Sequence, residues 1–156
     1  MTKILSTPKI SKKDIICQKA AAAIRAKGYK ACTMRDLAVA IGVEAPSLYN
    51  HIGSKSEILQ HICFHVAALY TEQIERIEEM DLTEIKKIEM LIRHQVRIQL
   101  THFDEVFIAN TEYKLLPEPY LHQFLQKRKA YETILVNWLK AGMHHKNLKK
   151  AHPQIT

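Results

Sequence analysis

The chain has 156 residues, 47% of them hydrophobic and 25% charged, with 4 Gly and 5 Pro. This globular composition excludes collagen-like and low-complexity chains and fits one domain or two small ones. The net charge of +7 is uneven: residues 1–60 hold 10 Lys/Arg against 4 Asp/Glu, and residues 61–156 hold 13 against 12, which points the N-terminal part towards a polyanion, with a solvated basic surface as the alternative.

Residues 1–10 read as a flexible basic lead. Ser11 stands as an N-cap, and Ile16, Ala20, Ala23 and Ile24 recur at helical spacing up to Lys27. Gly28 is placed to stop this helix, since glycine takes a positive φ without steric cost. Thr33 opens a second, short helix, TMRDLAVAIG, with Leu37, Ala38 and Ile41 as its apolar face and Gly42 as its end. A third segment, APSLYNHI, begins around Pro46, whose missing N–H costs nothing in a first turn. Ser54 and Glu57 have the spacing of a capping box. A long helix follows, striped by Ile58, Ile62, Val66, Leu69, Gln73 and Ile77, and the pattern restarts at Leu82-Thr83 to run to about His102. Asp104 is expected to cap a shorter helix through Tyr113. Pro117 and Pro119 punctuate before a last long stripe through Leu121, Phe124, Leu125, Tyr131, Leu135, Trp138 and Leu139. Gly142 should loosen its end, and a polar tail holds His144-His145 and Pro153. No segment alternates with period two, so the chain is all-α with roughly seven helices.

Residues 33–51 carry the sharpest signal. Two short helices flank Gly42-Val43, the spacing of a helix-turn-helix, whose second helix lies in the DNA major groove. Its outer face would hold Ala45, Ser47, Tyr49, Asn50 and His51, with Leu48 and Ile52 turned inward. Such a pattern alone also suits an ordinary three-helix packing unit. The match is closer than that. Gly28, Tyr29, Thr33, Leu37, Ala38, Gly42, Val43, Leu48, Tyr49, His51, Ile52, Lys55, Glu57, Ile58 and Leu59 fall in the order seen in one family. Residues 16–60 thus resemble the DNA-binding domain of the TetR family of bacterial transcriptional regulators.

The resemblance implies a three-helix DNA-binding domain over 11–56 and a helical ligand-binding and dimerisation domain over 57–156. It implies that Thr33 binds phosphate at a helix start and that Arg35 reaches phosphate or guanine. Ala45, Pro46 and Ser47 would meet base edges, and Tyr49 and His51 phosphates. Asn50, variable in the family, would govern sequence choice, and Lys55 would clamp a flanking phosphate. Glu44 departs from the Ser or Thr common at its position; an acid there weakens nonspecific attraction or reads a cytosine amino group.

The stretch from Phe103 to Met143 resembles a subgroup, some of whose members respond to fatty acyl thioesters, so a hydrophobic inducer of that kind is expected. Pocket candidates are His65, Leu69, Leu91, His94, Ile98, Phe107, Thr111, Tyr131, Leu135 and Trp138; aliphatic and aromatic stripes of this kind are more often plain core. His65, His94 and His102 are the nearest approach to metal ligands, but no HExxH occurs, and neither metal nor cofactor is expected. Family members usually add one or two helices after the late Gly turn, which build most of the dimer interface; here either the last long helix pairs the homodimer or the sequence is incomplete.

No apolar run approaches the ~20 residues of a membrane-spanning helix. The start MTKILSTPKI lacks the apolar core of a signal peptide, and Cys17, Cys32 and Cys63 form no CxxC pair. A reduced, cytoplasmic protein without membrane association is expected. P-loop, GxGxxG and GxSxG motifs are absent, so an enzyme is not expected. The expected function is a ligand-responsive repressor that binds a near-palindromic double-stranded DNA operator as a dimer; the alternative is a protein-interaction module that keeps the fold with little DNA reading.

Overall fold

The computed structural model describes residues 11–144; the basic lead 1–10, His145 and Pro153 lie outside the described residues. Seven α-helices follow one another: α1 Lys12–Lys27, α2 Met34–Ile41, α3 Ala45–Tyr49, α4 Lys55–Glu78, α5 Glu84–Thr101, α6 Phe103–Thr111 and α7 Tyr120–His144, with one 3₁₀ turn at Tyr113–Leu115. No strand occurs among the described residues.

Local chemistry sets the first boundaries. Ser11 and Asp14 cap α1 reciprocally, and Thr33 and Asp36 do the same for α2; each pair satisfies N–H groups that the first turn leaves without partners. The Asp36 carboxyl also takes a hydrogen bond from Lys27, 2.7 Å away, and these bonds hold it well below the usual carboxylate range. Gly42 adopts the left-handed conformation (φ 82°, ψ 37°), and its N–H returns to the carbonyls of Ala38 and Val39. A side chain at that φ would be strained, so glycine makes the tight turn between α2 and α3.

The α4 cap differs from a full box. Ser54 accepts from the Glu57 N–H, but the Glu57 carboxylate turns to the Gly53 N–H, 2.8 Å away. The start of α6 differs from expectation too. His102 is its N-cap, without a side-chain capping bond, while Asp104 lies inside the first turn and pairs with Arg25 of α1. Gly142 lies buried within α7.

Two cores result. The larger joins α1, α2 and α3 to the first half of α4 and to α6, through Ile24, Leu37, Leu48, Ile52, Ile58, Ile62 and Ile108 among others. The smaller gathers Ile74, Ile77, Leu91 and Trp138 at the far end of α4, α5 and α7. The expected boundary between residues 56 and 57 falls inside the first turn of α4, and the larger core is continuous across it. α6 packs against both α1 and α4.

Candidate nucleic-acid interface and regulatory cavity

α3 is anchored from beneath. Leu48 and Ile52 are each 1% exposed, so the short helix cannot rotate without emptying two core positions. That leaves Pro46, Ser47, Tyr49, Asn50 and His51 on the outside. Ala45, expected on the same face, is half-buried against the core. Tyr49 is 53% exposed. Among the described residues nothing supplies a side-chain hydrogen bond or ion pair to Arg35, Tyr49, Asn50 or His51. A row of polar side chains on a rigid support, with no partner of its own, has donors and acceptors free for another molecule.

Thr33 opens α2 and Lys55 opens α4, as read from the sequence, and both side chains have partners within the chain. The Thr33 hydroxyl donates to Asp36, 2.7 Å away, and accepts from the Asp36 N–H, so it serves the α2 cap next to a carboxylate. The Lys55 ammonium donates to the carbonyls of Tyr29, Cys32 and Lys30 at 2.5, 2.7 and 3.3 Å. It also sits 4.6 Å from the centre of the Tyr29 ring. An ammonium has three N–H groups, and here all three hold the turn between α1 and α2. A phosphate at Lys55 would have to displace one of these bonds.

Other N-terminal cations are engaged as well. Lys13 pairs with Glu57 at 2.5 Å, and Arg25 pairs with Asp104 and stacks 5.2 Å over Phe103. His61 of α4 lies 2.8 Å from Asp14 of α1. The Asp14 carboxyl is lowered to about 2, first by its two hydrogen bonds from Ser11 and then by His61. Of these pairs only Arg25–Asp104 draws on an acid outside residues 1–60, so the positive excess of that stretch falls by one charge.

A cavity of about 520 Å³ lies between α4, α6 and α7. Val66, Ala67, Phe124 and Leu135 give it apolar walls, and Lys127, Arg128 and Lys129 crowd its rim. Tyr131 accepts a hydrogen bond from Gln95 at 2.5 Å, and burial pushes its hydroxyl up to about 12; it stays protonated near neutral pH. Tyr70 meets it edge to face at 5.5 Å.

Of the pocket candidates read from the sequence, Tyr131 and Leu135 line this cavity. His65 borders a second, more open cavity of about 610 Å³ with Lys13, Glu57, His61 and Tyr120. Leu91 and Trp138 fill the smaller core, and Ile98 and Leu69 belong to or abut the larger. His94 spends its Nε2 on the Leu69 carbonyl, 3.1 Å away. Phe107, 42% exposed, and Thr111 face outward, because Val106, Ile108 and Ala109 form the covered side of α6. Gln95 and the Lys127–Lys129 run line the cavity although helical periodicity ranks them as surface, and Tyr70, beside the apolar stripe of α4, joins them. The sequence reading missed Glu105 and His61, though the H-x-x-x-H spacing of His61 and His65 was there to be seen.

Comparison with known proteins agrees with this architecture. Residues 16–62 match the family model described as bacterial regulatory proteins of the tetR family. Residues 81–156 match the tetracyclin repressor-like C-terminal domain. No curated protein matches the chain. Similar solved structures include the ketosteroid transcriptional regulator KstR2 of Mycobacterium tuberculosis, at TM-score 0.81 and 21% identity over 90% of this chain and 72% of that one. AibR in complex with isovaleryl coenzyme A and operator DNA is similar at TM-score 0.79 and 21% identity, over 92% and 78%. The TetR-family regulator PfmR of Thermus thermophilus is similar at TM-score 0.77 and 23% identity, over 88% and 75%. The fold and the helix-turn-helix define an all-α DNA-binding transcriptional regulator. The chain belongs to the TetR family of bacterial regulatory proteins. No helix among the described residues is long and apolar enough to cross a membrane.

Proposed function

We propose that the protein is a ligand-responsive repressor that binds a near-palindromic operator as a homodimer, each protomer laying α3 in a major groove. The observation that carries this reading is the split character of α3: Leu48 and Ile52 are locked in the core while Ser47, Tyr49, Asn50 and His51 stand outside without partners. Tyr49 and His51 would contact phosphates and Asn50 a base edge, with Arg35 beside them at the start of α2. One such unit makes few contacts, so two half-sites about one helical turn apart, or a multiple of it, are needed for usable affinity.

The inducer is an amphipathic acid with an apolar tail, such as a fatty acyl thioester. The apolar walls of the cavity between α4, α6 and α7 suit the tail, and the Lys127–Lys129 rim suits an anionic group. AibR, of the same fold, is described with isovaleryl coenzyme A and operator DNA. An occupant would part α4 from α6 and α7, and since α6 also packs on α1 the headpiece would tilt. Its leverage equals the difference between its affinities for the DNA-competent and DNA-incompetent states.

A gel shift on the gene's own upstream region, repeated over a range of salt, tests the reading. Several phosphate contacts make log K fall steeply with log salt, and acyl thioesters should release the complex. Absent or salt-independent binding would favour a protein-interaction module instead, a reading to which the exposed Glu44 at the start of α3 lends support.

A further inference from the structure

Among the described residues, Glu105 is the one charged side chain that is buried, at 5% exposure. A buried carboxylate is costly unless partners compensate it. Two imidazoles from two other places in the fold converge on it. His102, at the junction of α5 and α6, brings Nδ1 to 2.8 Å from Glu105 Oε2. His65 of α4 brings Nε2 to 3.9 Å from Oε1, and the His65 and His102 rings stand 5.6 Å apart. One ligand atom from each of the three lies within 4.8 Å of the others.

We propose that His65, His102 and Glu105 form a binding site for a divalent transition-metal ion of the zinc class. Two neutral imidazoles and one carboxylate are a donor set that zinc accepts, with a fourth position left open. Metal–ligand bonds of about 2.0–2.1 Å put tetrahedral ligand atoms about 3.3 Å apart, so the site closes on the ion through small rotations of the His65 and His102 rings. Imidazole and carboxylate ligands bind a metal ion in competition with protons, so binding weakens as pH falls. An entry path exists, since His65 borders the open 610 Å³ cavity. The ion would tie α4 to the start of α6, the helix that also packs on α1. None of its three residues lines the apolar cavity.

The test uses the full chain, stripped with a chelator and titrated with Co²⁺ and then with Zn²⁺. One Co²⁺ per chain, with visible absorption bands of a four-coordinate ion that Zn²⁺ abolishes, is expected. A rise in the thermal midpoint with Zn²⁺ should accompany it. Loss of a second-sphere partner typically costs 10–100-fold in metal affinity, so His65→Ala and His102→Ala should each cost at least about 100-fold. His65 is one-third exposed, so His65→Ala keeps the fold, checked by circular dichroism; Glu105→Gln is the third variant. His144→Ala combined with His145→Ala should leave uptake unchanged. No uptake by the parent chain, equal uptake by His65→Ala, or uptake lost only in the tail variant would each overturn the proposal.

Discussion

The two cores sit at opposite ends of α4 and are built differently. The larger one contains fully covered side chains from five helices, including Ile24, Leu37 and Leu48 at 0–1% exposure. The smaller one rests on Ile74, Ile77, Leu91 and Trp138, and the α5 surface beside it leaves Ile92 54% exposed. Rigid placement of a recognition surface needs dense packing, and DNA reading sits on the dense end. The lightly built end has room to adapt, and local opening concentrates where buried apolar contacts are few.

Substitutions can break or sharpen this contrast. Trp138→Ala removes the largest member of the smaller core and should cost about 3–5 kcal/mol of stability. Below its lowered unfolding transition, however, DNA affinity should change little; a parallel loss of both would mean that the two cores are one cooperative unit. Urea unfolding and a gel shift on the same sample decide it.

Lys55→Met tests the dense end. Three carbonyls lose their donor, which should cost about 1–3 kcal/mol. If Lys55 only staples the turn, the salt slope of DNA binding stays as it is. A phosphate contact would instead lower that slope by about one.

Tyr49→Ala reverses the pattern. Its stability should lie within about 0.5 kcal/mol of the parent, as for an exposed position, while operator affinity falls about tenfold, or ~1.4 kcal/mol. Unchanged affinity would count against the placement of α3 in the groove.

The smallest effect concerns pH. Partial burial lowers the pKa of His94, outweighing its bond to the Leu69 carbonyl. The unfolded chain therefore takes up the proton first, and stability falls as pH drops below about 6.5, the ordinary value for His. His94→Gln should flatten the thermal midpoint between pH 7 and 5.5, and a midpoint curve parallel to that of the parent would contradict this.

Much of the headpiece was legible because its determinants are local. The Ser11–Asp14 and Thr33–Asp36 caps and the Gly42 turn are each written within four residues. Farther along, contacts distant in sequence decide. Asp104 has the composition of a cap, yet Arg25, at the far end of the headpiece, claims it. Glu105 reads as surface until His65 and His102 are seen around it. Phe107 and Thr111 were assigned inward by periodicity, but a nine-residue helix packed on one side has a second face that periodicity cannot rank. The cationic rim of the cavity was missed for a related reason: Lys127–Lys129 is an ordinary solvated run unless α4 and α6 hollow out the space beneath it.

Arg25 is gripped twice, by the Asp104 carboxylate and by the face of Phe103. Both partners belong to the opening turn of α6, so under the proposed function this bracket is one of the contacts, beside the α1–α6 packing, through which an occupied cavity reaches the headpiece. Arg25→Ala would then leave both proposed bindings in place and weaken the coupling between them.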